Sequence, residues 1–538
     1  GQIHLDGNGT LTIDAETTIS FAENETTSGD RYENGLTGGA LLSGGGVFSL
    51  DIITGVTGLD GDVGNLRTDE TFADSNEDYY QDIVEGGDPE LVAKLYRGGD
   101  GKFFYDENRD TVYMTYGIRR IDLQWTGDDN GLTLNADGMN NAALDALVTG
   151  AGNIVFAGGN ILVTGEEDSE GNTYTGATYV RDGAEVTLAI DNAFGETKLL
   201  QVDGTGSVHL QDGLSQTVGD VAGSGAITLG NGSTLTLDYT GTDGLIQVGN
   251  AVSYESTATN GTAQFVIDGE YAPTAGETAY AELDFTNQTS DLGNDLGNVN
   301  VELKNVTTSF DSINNDVNYQ VLGQAAGITL GDNADLGISA TSGGASQSYS
   351  LNKLVFNGGN LSFANATLSA AGSGTGDYVL DVGNLDVTNG GTLSVSAEIG
   401  SAFNILEADD DTYAQTLIHY GSLQGDVSNI GFNAESLDAS EIRNAEDAVT
   451  AYVTWQGVGE NGGVVHDAVD QTIGLEYEVD ELQLALADDE GFVVQAAEGA
   501  SGDDLTLSAT ITNYRDVAGT ITYGGGDITV TGSNDYTG

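Results

Sequence analysis

Short apolar runs that alternate with turn residues recur along the whole chain, and this pattern constrains the fold more than any other feature. Apolar residues at every second position mark strands with one buried face. In the first fifty residues these are Ile3 and Leu5, Leu11 and Ile13, and Ile19 and Phe21. The same pattern returns at 226–237 and 385–395, and eighty glycines supply turns between the runs. The chain is therefore predicted to be all-β.

Two architectures accommodate such strands, a β-sandwich built from hairpins and a solenoid whose strands stack coil upon coil. Several hundred residues of one pattern outgrow a single sandwich, so the length favours the solenoid. At roughly 20 to 25 residues per coil and ~4.8 Å per stacked strand, the regular parts would form a rod on the order of 100 Å long. Tandem sandwich domains remain the alternative.

Composition excludes several classes of partner and site. The chain has 84 acidic and 14 basic residues and a formal net charge of -70, which repels nucleic acid and anionic lipid. It has no cysteine, so disulfides, thiol nucleophiles and cysteine-ligated metals are excluded. No apolar run is long enough for a membrane helix, and the amino-terminal residues lack the pattern of a signal peptide. We therefore expect a mature chain or a piece of a longer one.

Two stretches depart from the strand pattern. Residues 55–125 carry seven of the fourteen basic and ten of the forty aromatic residues. There Asp88-Pro89-Glu90 precedes the apolar run 91–95 in the form of a helix start, which predicts a small inserted α+β subdomain or large loop. Residues 435–449 resemble a short helix or an acidic loop. β-Helix coils are expected at 1–54, at 126–400 and, with that helix or loop, at 401–500.

A long internal repeat is visible near the two ends of the chain. The run 154–165 leads into Asn172-Thr173-Tyr174-Thr175-Gly176, and the run 521–532 leads into 534–538, with 362 residues between Asn172 and Asn534. A weaker match continues upstream, at 116–123 and 477–484. Residues 501–538 are thus predicted to begin a second copy. Because the chain stops at Gly538, inside a motif that runs on past Gly176, we expect the natural protein to continue.

The motif at 172–188, within the repeat region 154–190, resembles the passenger-associated transport repeat of bacterial autotransporters. The resemblance rests on Asn172-Thr173-Tyr174-Thr175-Gly176 and on the Thr, Val, Gly and apolar strand that follow it. Asn192-Ala193-Phe194-Gly195 and the segment 216–225 are similar to the usual continuation. The match covers about 150–240 and the last twenty residues.

The resemblance implies a fold, a location and a function. The fold is a right-handed parallel β-helix, exported by type V secretion to the surface of a Gram-negative cell. The resemblance also implies a carboxy-terminal β-barrel translocator, which is absent from this chain. Such passengers act as adhesins, so the expected partners are a host or matrix protein or glycan, or sister cells. The extreme acidity and the 55–125 insertion depart from the family's pattern.

Catalytic and metal motifs are not found. There is no Gly-x-Ser-x-Gly, and the four histidines lie far apart, so no catalytic residue and no cofactor is predicted and the chain is not expected to be an enzyme. Acidic turns at 58–62, 128–130 and 409–411 offer oxygen ligands for calcium, but none completes an EF-hand, and the metal question stays open. Two alternatives to an adhesin remain, a β-helical enzyme acting on polysaccharide and a structural spacer without a ligand.

The insertion is the predicted recognition surface. Aromatic side chains suited to glycan or protein contacts stand beside local positive charge. The candidate ligand-binding residues are Tyr79, Tyr80, Lys94, Arg97, Phe103, Phe104, Tyr105 and Arg109. The competing interpretation is that these aromatic residues form the insertion's own small core.

Overall fold

The structure is a computed structural model, in which the described elements are predominantly β-strands, and this confirms the all-β prediction. It describes residues 3–13, 18–19, 32–33, 41–42, 48–68, 80–84, 91–97, 102–116, 118–127, 131–140, 142–165, 171–254, 262–274, 277–286, 296–314, 316–342, 345–370, 378–399, 412–434, 440–443, 448–458, 463–487, 491–495, 505–515, 517–524 and 528–537. The chain divides into two compact units, Gly1–Glu277 with Phe285–Val299, and Thr278–Asp284 with Asn300–Gly538.

The first unit contains the following strands and one 3-10 turn. The strands are Ile3–Thr12, Thr18–Ile19, Tyr32–Glu33, Phe48–Asp60, Arg67–Thr68, Tyr80–Val84, Leu91–Arg97, Lys102–Asp106, Thr111–Tyr116, Ile118–Leu123, Leu132–Asn135, Ala142–Leu144, Leu147–Gly150, Ile154–Ala157, Asn160–Val163, Ala177–Arg181, Glu185–Leu188, Leu199–Val202, Ser207–Leu210, Ser215–Val218, Val221–Gly223, Ala226–Leu229, Thr234–Asp238, Leu245–Val248, Ala251–Tyr254, Ala263–Asp268 and Glu270–Tyr271. The turn is Val63–Asn65.

The second unit contains the remaining described elements. The strands that lie in it, begin in it or end in it are Ala279–Phe285, Val299–Lys304, Val306–Phe310, Gly327–Leu330, Asp335–Ser339, Thr341–Ser342, Ala345–Ser346, Tyr349–Phe356, Asn360–Ala370, Leu380–Asp386, Gly391–Ile399, Thr412–Tyr420, Leu423–Gln424, Ile430–Ala434, Ser440–Arg443, Val449–Gly457, Val464–Asp467, Thr472–Leu484, Phe492–Gln495, Leu505–Leu507, Thr510–Asn513, Ile521–Gly524, Ile528–Val530 and Asn534–Asp535. Its helix is Val317–Leu322, capped by Asp316, and its 3-10 turn is Val427–Asn429.

Parallel strands from successive turns of the chain stack in register in the first unit. One row of inward-facing side chains is Leu132, Ile154, Thr178, Leu200 and Val221, all buried. Neighbouring members of this row are separated by one coil each, within the predicted range of roughly 20 to 25 residues. A second stack runs from Ala142–Leu144 to Ala251–Tyr254. Such stacks are consistent with a β-helix, because each coil adds one strand to each sheet.

The second unit contains the same kind of stack. Asn300–Leu303 lies parallel to Gly327–Leu330, and Asp335–Ser339 lies parallel to Asn360–Ala364. Leucine, isoleucine and phenylalanine fill the interior, and burying each contributes about 1.5–3 kcal/mol relative to leaving it exposed. A thin core repeated coil after coil thus replaces one large globular core.

The residues of the Asn-Thr-Tyr-Thr-Gly motif hold adjacent coils together. The Asn172 side chain is buried; its Oδ1 accepts from Val148 N at 2.8 Å and its Nδ2 donates to Ala193 O at 2.6 Å. Tyr174 is buried, with its hydroxyl 2.6 Å from Thr178 Oγ1. A Cβ on Gly176 would collide with the carbonyl of the glycine one coil earlier, so only glycine fits there. The motif therefore serves coil stacking, because every polar group that it buries has a partner.

The helix predicted after Asp88-Pro89-Glu90 is wrong. Leu91–Arg97 is a strand, paired on one edge with Tyr80–Val84 and on the other with Ile118–Leu123, both antiparallel. Two sets of ladder hydrogen bonds and the burial of Val92, Ala93 and Leu95 outweigh a local start signal worth about 1 kcal/mol. The three flanking residues of that signal lie outside the described part of the chain. The predicted boundary at 55 falls inside Phe48–Asp60.

Of the helix or loop predicted over 435–449, a helix at 440–443 is wrong. Ser440–Arg443 is a strand that pairs antiparallel with Val449–Gly457, which in turn pairs with Thr472–Leu484. Residues 435–439 and 444–447 lie outside the described residues. The part of the chain predicted as β-helix at 401–500 thus includes an antiparallel sheet.

The antiparallel extension of the first unit has a counterpart in the second. In each unit a strand of the parallel stack carries two further strands on its other edge. The sets are Ile118–Leu123 with Leu91–Arg97 and Tyr80–Val84, and Thr472–Leu484 with Val449–Gly457 and Ser440–Arg443. Leu123 faces Ala93 and Gly150, just as Leu484 faces Ala451 and Asn513. The long repeat of the sequence is therefore a repeat of structure.

Irregularities recur in the two copies as well. One bulge skips Arg119 between Ile118 and Arg120, and its counterpart skips Asp480 between Val479 and Glu481. Bulges are positional features of a fold, so matched bulges indicate one architecture used twice. The short motif Gly61-Asp62-Val63-Gly64-Asn65 also returns as Gly425-Asp426-Val427-Ser428-Asn429. Each forms a 3-10 turn closed by a 2.9 Å hydrogen bond from the asparagine N–H to the aspartate carbonyl.

Truncation of Phe156 to alanine should lower the free energy of unfolding by about 3–5 kcal/mol. The side chain is 1% exposed and its ring centroid lies 5.7 Å from that of Phe194, so the substitution leaves a cavity. Urea unfolding followed by circular dichroism measures the change. The matched control is Phe104→Ala, at a ring 41% exposed, which should cost about 1 kcal/mol or less. Equal costs would contradict the assignment of Phe156 to the core.

Replacing Asn172 by alanine should destabilise the chain by about 1–3 kcal/mol. The substitution leaves the Val148 N–H and the Ala193 carbonyl without the Asn172 side chain, which now bonds to both and so joins neighbouring coils. The exposed neighbour Thr173 provides the comparison, and Thr173→Ala should have little effect on the urea midpoint. A neutral Asn172→Ala would show that the bridge does not stabilise stacking.

Candidate functional site

The antiparallel extension of the first unit presents an aromatic and charged face. Along Leu91–Arg97, Ala93 and Leu95 are buried, while Lys94 and Tyr96 are half-buried on the opposite face. The register places Tyr96 beside Arg120 and Lys94 beside Asp122. The Arg120 guanidinium carbon lies 3.9 Å from the Tyr96 ring centroid, a cation–π contact. Charge of both signs therefore surrounds one partly exposed aromatic ring.

A hairpin from the same insertion carries a second aromatic cluster. Phe104 is 41% exposed and stacks on Tyr113, with centroids 5.5 Å apart. The Arg109 guanidinium carbon lies 5.6 Å from the Tyr113 centroid, and Arg109 forms a 2.9 Å ion pair with Asp106. The Asn108 backbone N–H, and then the Arg109 side chain, hold the pKa of Asp106 below its ordinary value. The tip is thus an ordered surface with an exposed ring.

The other two aromatic residues predicted on this strand face inward. Phe103 is 5% exposed and belongs to a core cluster with Ile13, Ile52, Ile53, Val56, Leu66 and Val112. The Tyr105 hydroxyl donates to Val56 O at 2.7 Å, and burial raises the pKa of this hydroxyl. The competing interpretation, that insertion aromatics form a core, therefore applies to Phe103 and in part to Tyr105.

The eight predicted residues are thus separated by the fold. Phe104 and Arg109 share the exposed cluster at the hairpin, whereas Lys94 lies in a different sheet, on the strand Leu91–Arg97. Tyr80 and Arg97 lie on strands, but their side chains are not described, and Tyr79 lies outside the described residues. Their role in ligand binding stays a prediction.

Three further residues of these surfaces escaped the sequence reasoning, namely Tyr96, Tyr113 and Arg120. The signal that could have found Tyr96 is the alternation through 91–97, which is strand-like once the helix start is set aside. Tyr113 stands opposite Phe104 in a hairpin, and such cross-strand pairs follow from pairing that only the fold defines.

A cavity of about 450 Å³ in the first unit holds a pair of carboxyl groups. Its lining residues include Asp220, Tyr239, Asp243, Gln247 and Thr286. Burial, together with the negative charge of Asp243, raises the pKa of Asp220 to about 6. The Tyr239 hydroxyl and the Leu245 N–H lower the pKa of Asp243, while burial and Asp243 raise the pKa of Tyr239 to about 12.

These opposite shifts give the two carboxyl groups different chemistry. Near neutral pH one carboxyl close to its pKa can donate or accept a proton while the other stays ionised. Glycoside hydrolases use two carboxyl groups in this way. Asp243 is already occupied by the Tyr239 hydroxyl and by Leu245 N. The arrangement supports hydrogen bonding to a hydroxyl ligand and leaves Asp220 as the group able to exchange a proton.

Substitution of Asp220 by asparagine should stabilise the chain near pH 7 and change little at pH 4. The folded pKa of Asp220 lies above the unfolded value, so the folded state holds more protons between about pH 4 and pH 6 and loses stability as pH rises through that window. The Asp220→Asn variant avoids this loss, while the Oδ1 of the new amide can still accept from Val221 N. Urea midpoints of both forms at the two pH values measure the effect, and equal differences at both would contradict it.

Register brings two of the four histidines close to acid and hydroxyl groups. His419 Nδ1 lies 2.8 Å from Asp381 Oδ1, and its ring stacks on Tyr378 at 5.0 Å. His466 Nε2 lies 2.7 Å from the Tyr420 hydroxyl. In the sequence these histidines have no nearby partner, because Asp381 lies far from His419, and Tyr420 far from His466, along the chain.

In the described part of the chain, no three or more histidine, aspartate and glutamate side chains come together as metal ligands. The calcium candidates at 128–130 and 409–411 lie outside the described residues. No helix among the described segments is long and apolar enough to cross a membrane.

In comparisons with known proteins, no family model, no curated protein and no solved structure matches the chain.

Proposed function

We propose that this chain is part of an autotransporter passenger, a right-handed parallel β-helix on the surface of a Gram-negative cell that acts as an adhesin. The stacked coils form the scaffold, and the hairpin of Lys102–Asp106 and Thr111–Tyr116 presents the binding surface to a host or matrix protein or glycan, or to sister cells. The membrane anchor is a β-barrel translocator outside this chain. In this role the chain is a binding scaffold and not an enzyme.

One observation carries the binding role, the exposed cluster of Phe104, Tyr113 and Arg109 at the hairpin. An aromatic residue 41% exposed has not been buried by the fold, although the chain places Phe103 next to it in the core. Exposed aromatic and arginine side chains are enriched at binding hot spots. The Asp106 contacts order the hairpin, which lowers the entropy lost on binding.

The family assignment draws support from the way that the motif residues are used. The Asn172 side chain joins neighbouring coils, Gly176 lies too close to the preceding coil for a side chain, and Tyr174 is buried with its hydroxyl bonded to Thr178 of the same coil. The spacing of these residues is therefore compatible with a β-helix in which the motif occupies one coil. A polysaccharide-acting enzyme is the second candidate, favoured by the Asp220 cavity.

Substitution of the hairpin cluster should abolish or weaken binding without unfolding the chain. Deleting 55–125 is unsuitable, because Phe103 and Val112 belong to the core and Ile118–Leu123 pairs with Leu147–Gly150. Phe104→Ala combined with Arg109→Ala should weaken capture by about tenfold or more, as expected for loss of a hot spot. Immobilised matrix proteins, glycans and cells, with and without calcium, provide the screen.

The matched control is Tyr280→Ala, another exposed ring, at 42%, in the other unit. It should leave binding unchanged. Capture that is equal for the hairpin variant and the unsubstituted chain would assign recognition to another surface. No capture of any probe by the unsubstituted chain would favour a spacer.

A further inference from the structure

The cavity that holds Asp220 and Asp243 extends along two neighbouring strands of the stacked coils. These strands are Val221–Gly223 and Leu245–Val248. Asp220 stands directly before the first of them, and Asp243 stands two residues before the second. Both carboxyl groups therefore belong to the amino-terminal end of the strand pair.

Hydrogen bonds orient the two carboxyl groups. The Oδ1 of Asp220 accepts from Val221 N at 2.8 Å. The Oδ1 of Asp243 accepts from the Tyr239 hydroxyl and, at 3.3 Å, from Leu245 N. Each side chain is thus held through one oxygen, and its Oδ2 can accept a hydrogen bond from a ligand.

Neutral polar groups line the remainder of the cavity. Gln247 is an exposed residue of Leu245–Val248 and lies between the two ends of the cavity. Thr286, also exposed, donates from its backbone N–H to Val248 O at 3.1 Å. Thr286 therefore marks the carboxy-terminal end of the strand pair, so the cavity has carboxyl groups at one end and an amide and a hydroxyl beyond them.

We propose that this cavity binds an amino sugar, whose ammonium group is held by the Asp220 and Asp243 carboxyl groups and whose hydroxyl groups bond to Gln247 and Thr286. The site lies on the stacked coils and not on the hairpin of Phe104. It therefore goes beyond the proposed function and does not depend on it.

The charge of the lining selects an ammonium group. Among the described residues that line the cavity, none is a lysine, arginine or histidine. An ammonium group has three N–H donors, and its bonds to a carboxylate are roughly twice as strong as neutral hydrogen bonds. The formal charge of -70 on the whole chain also attracts cations and repels acidic sugars.

The two carboxyl groups lack a counter-charge that such a ligand supplies. Burial, and then the negative charge of Asp243, raise the pKa of Asp220 to about 6. The other titratable group here, the Tyr239 hydroxyl, has its pKa raised to about 12 and stays neutral. A bound ammonium group favours the ionised form of Asp220, so binding near pH 6 releases a proton from Asp220 to solvent.

The size and the mixed lining favour a sugar over a simple cation. A volume of about 450 Å³ lies within the range of small-molecule sites, roughly 300–1,000 Å³. An aliphatic diamine would satisfy the carboxyl groups but would leave Gln247 and Thr286 without partners. Ala222 and Leu245, which also line the cavity, can contact the C–H groups of a sugar ring.

The test is isothermal titration of the full chain near pH 6 in about 0.15 M salt. The probes are the β-linked disaccharide of glucosamine, its N-acetylated form, the corresponding glucose disaccharide, and putrescine, a diamine with the same two charges. The glucosamine disaccharide should bind at least tenfold more tightly than either neutral disaccharide. Equal affinity for a neutral disaccharide would overturn the inference, and tighter binding of putrescine would overturn the assignment to a sugar.

Variants assign the binding to the cavity. Asp243→Asn keeps an oxygen that can accept from Tyr239 and Leu245, but it removes the ionised carboxylate and should weaken binding about tenfold or more. Asp220→Asn should also weaken binding severalfold, although this variant is expected to be the more stable chain near pH 7. Weaker binding by a more stable chain cannot be attributed to unfolding.

The matched control is Asp212→Asn, which removes one exposed negative charge outside the cavity. Its amide oxygen can still accept from Asn231 N, as Asp212 does at 2.7 Å, so this variant should bind as the unsubstituted chain does. If Asp220→Asn and Asp243→Asn bind as tightly as Asp212→Asn, attraction to the general charge of the chain explains the binding and the site is overturned.

Proton release provides a second readout. Near pH 6 about half of the chains carry a proton on Asp220. Titrations in two buffers of different ionisation enthalpy should show that the unsubstituted chain releases roughly half a proton more per ligand than Asp220→Asn does. Equal proton release by the two forms would contradict contact between the ammonium group and Asp220.

The hairpin variant separates this site from the proposed function. Phe104→Ala combined with Arg109→Ala should leave the affinity for the glucosamine disaccharide unchanged. If it removes this binding while the Asp220 and Asp243 variants do not, the ligand occupies the hairpin and the cavity site is overturned. Failure of the hairpin to capture any partner, with amino-sugar binding retained, would count against the proposed function alone.

Discussion

In-register hydrogen bonding between parallel strands of successive coils is the interaction on which the structure depends. Each coil uses the preceding coil as the template for its backbone, so inward side chains stack in rows such as Leu134, Phe156, Val180 and Val202. The stacking places corners above corners, where Asn172 and Gln216 reach to backbone groups of neighbouring coils. A thin core is sufficient to stabilise the fold because each added coil repeats both the apolar rows and the polar contacts.

The sequence predicted those parts of the fold that local pattern encodes. Alternation of apolar residues located the parallel strands, and the Asn-Thr-Tyr-Thr-Gly motif located a coil with buried polar bridges. The helix predicted at 91–97 is wrong because the antiparallel partners of Leu91–Arg97 lie elsewhere in the chain. Pairing with them overrides the local helix signal. For the candidate site, the sequence predicted a group of aromatic and basic residues within the insertion. Their division between Phe103 inside and Phe104 outside follows from strand alternation, which only the correct register assigns.

Three arginines of this acidic chain lie over tyrosine rings. Arg109, Arg120 and Arg515 each lie over a ring, at 5.6, 3.9 and 4.9 Å from the centroid. A cation in a strongly negative field is retained electrostatically without a specific partner. Contact with an aromatic ring face fixes the orientation of the guanidinium group, so that the ring and the cation together form a defined surface. Arg120 lies in the first antiparallel extension, Arg109 lies in the hairpin between Lys102–Asp106 and Thr111–Tyr116, and Arg515 follows Thr510–Asn513, which pairs with Thr472–Leu484 of the second extension.

The matched registers of the two extensions also bear on how such a gene can change length. Ile118–Leu123 and Thr472–Leu484 meet equivalent neighbours on both edges. A recombination crossover between the codons of equivalent strands would remove or add a whole set of coils and still join strands that fit. The length of the array can therefore vary in large steps while every remaining strand keeps its partners, and one extension can diverge while the other retains its ancestral surface.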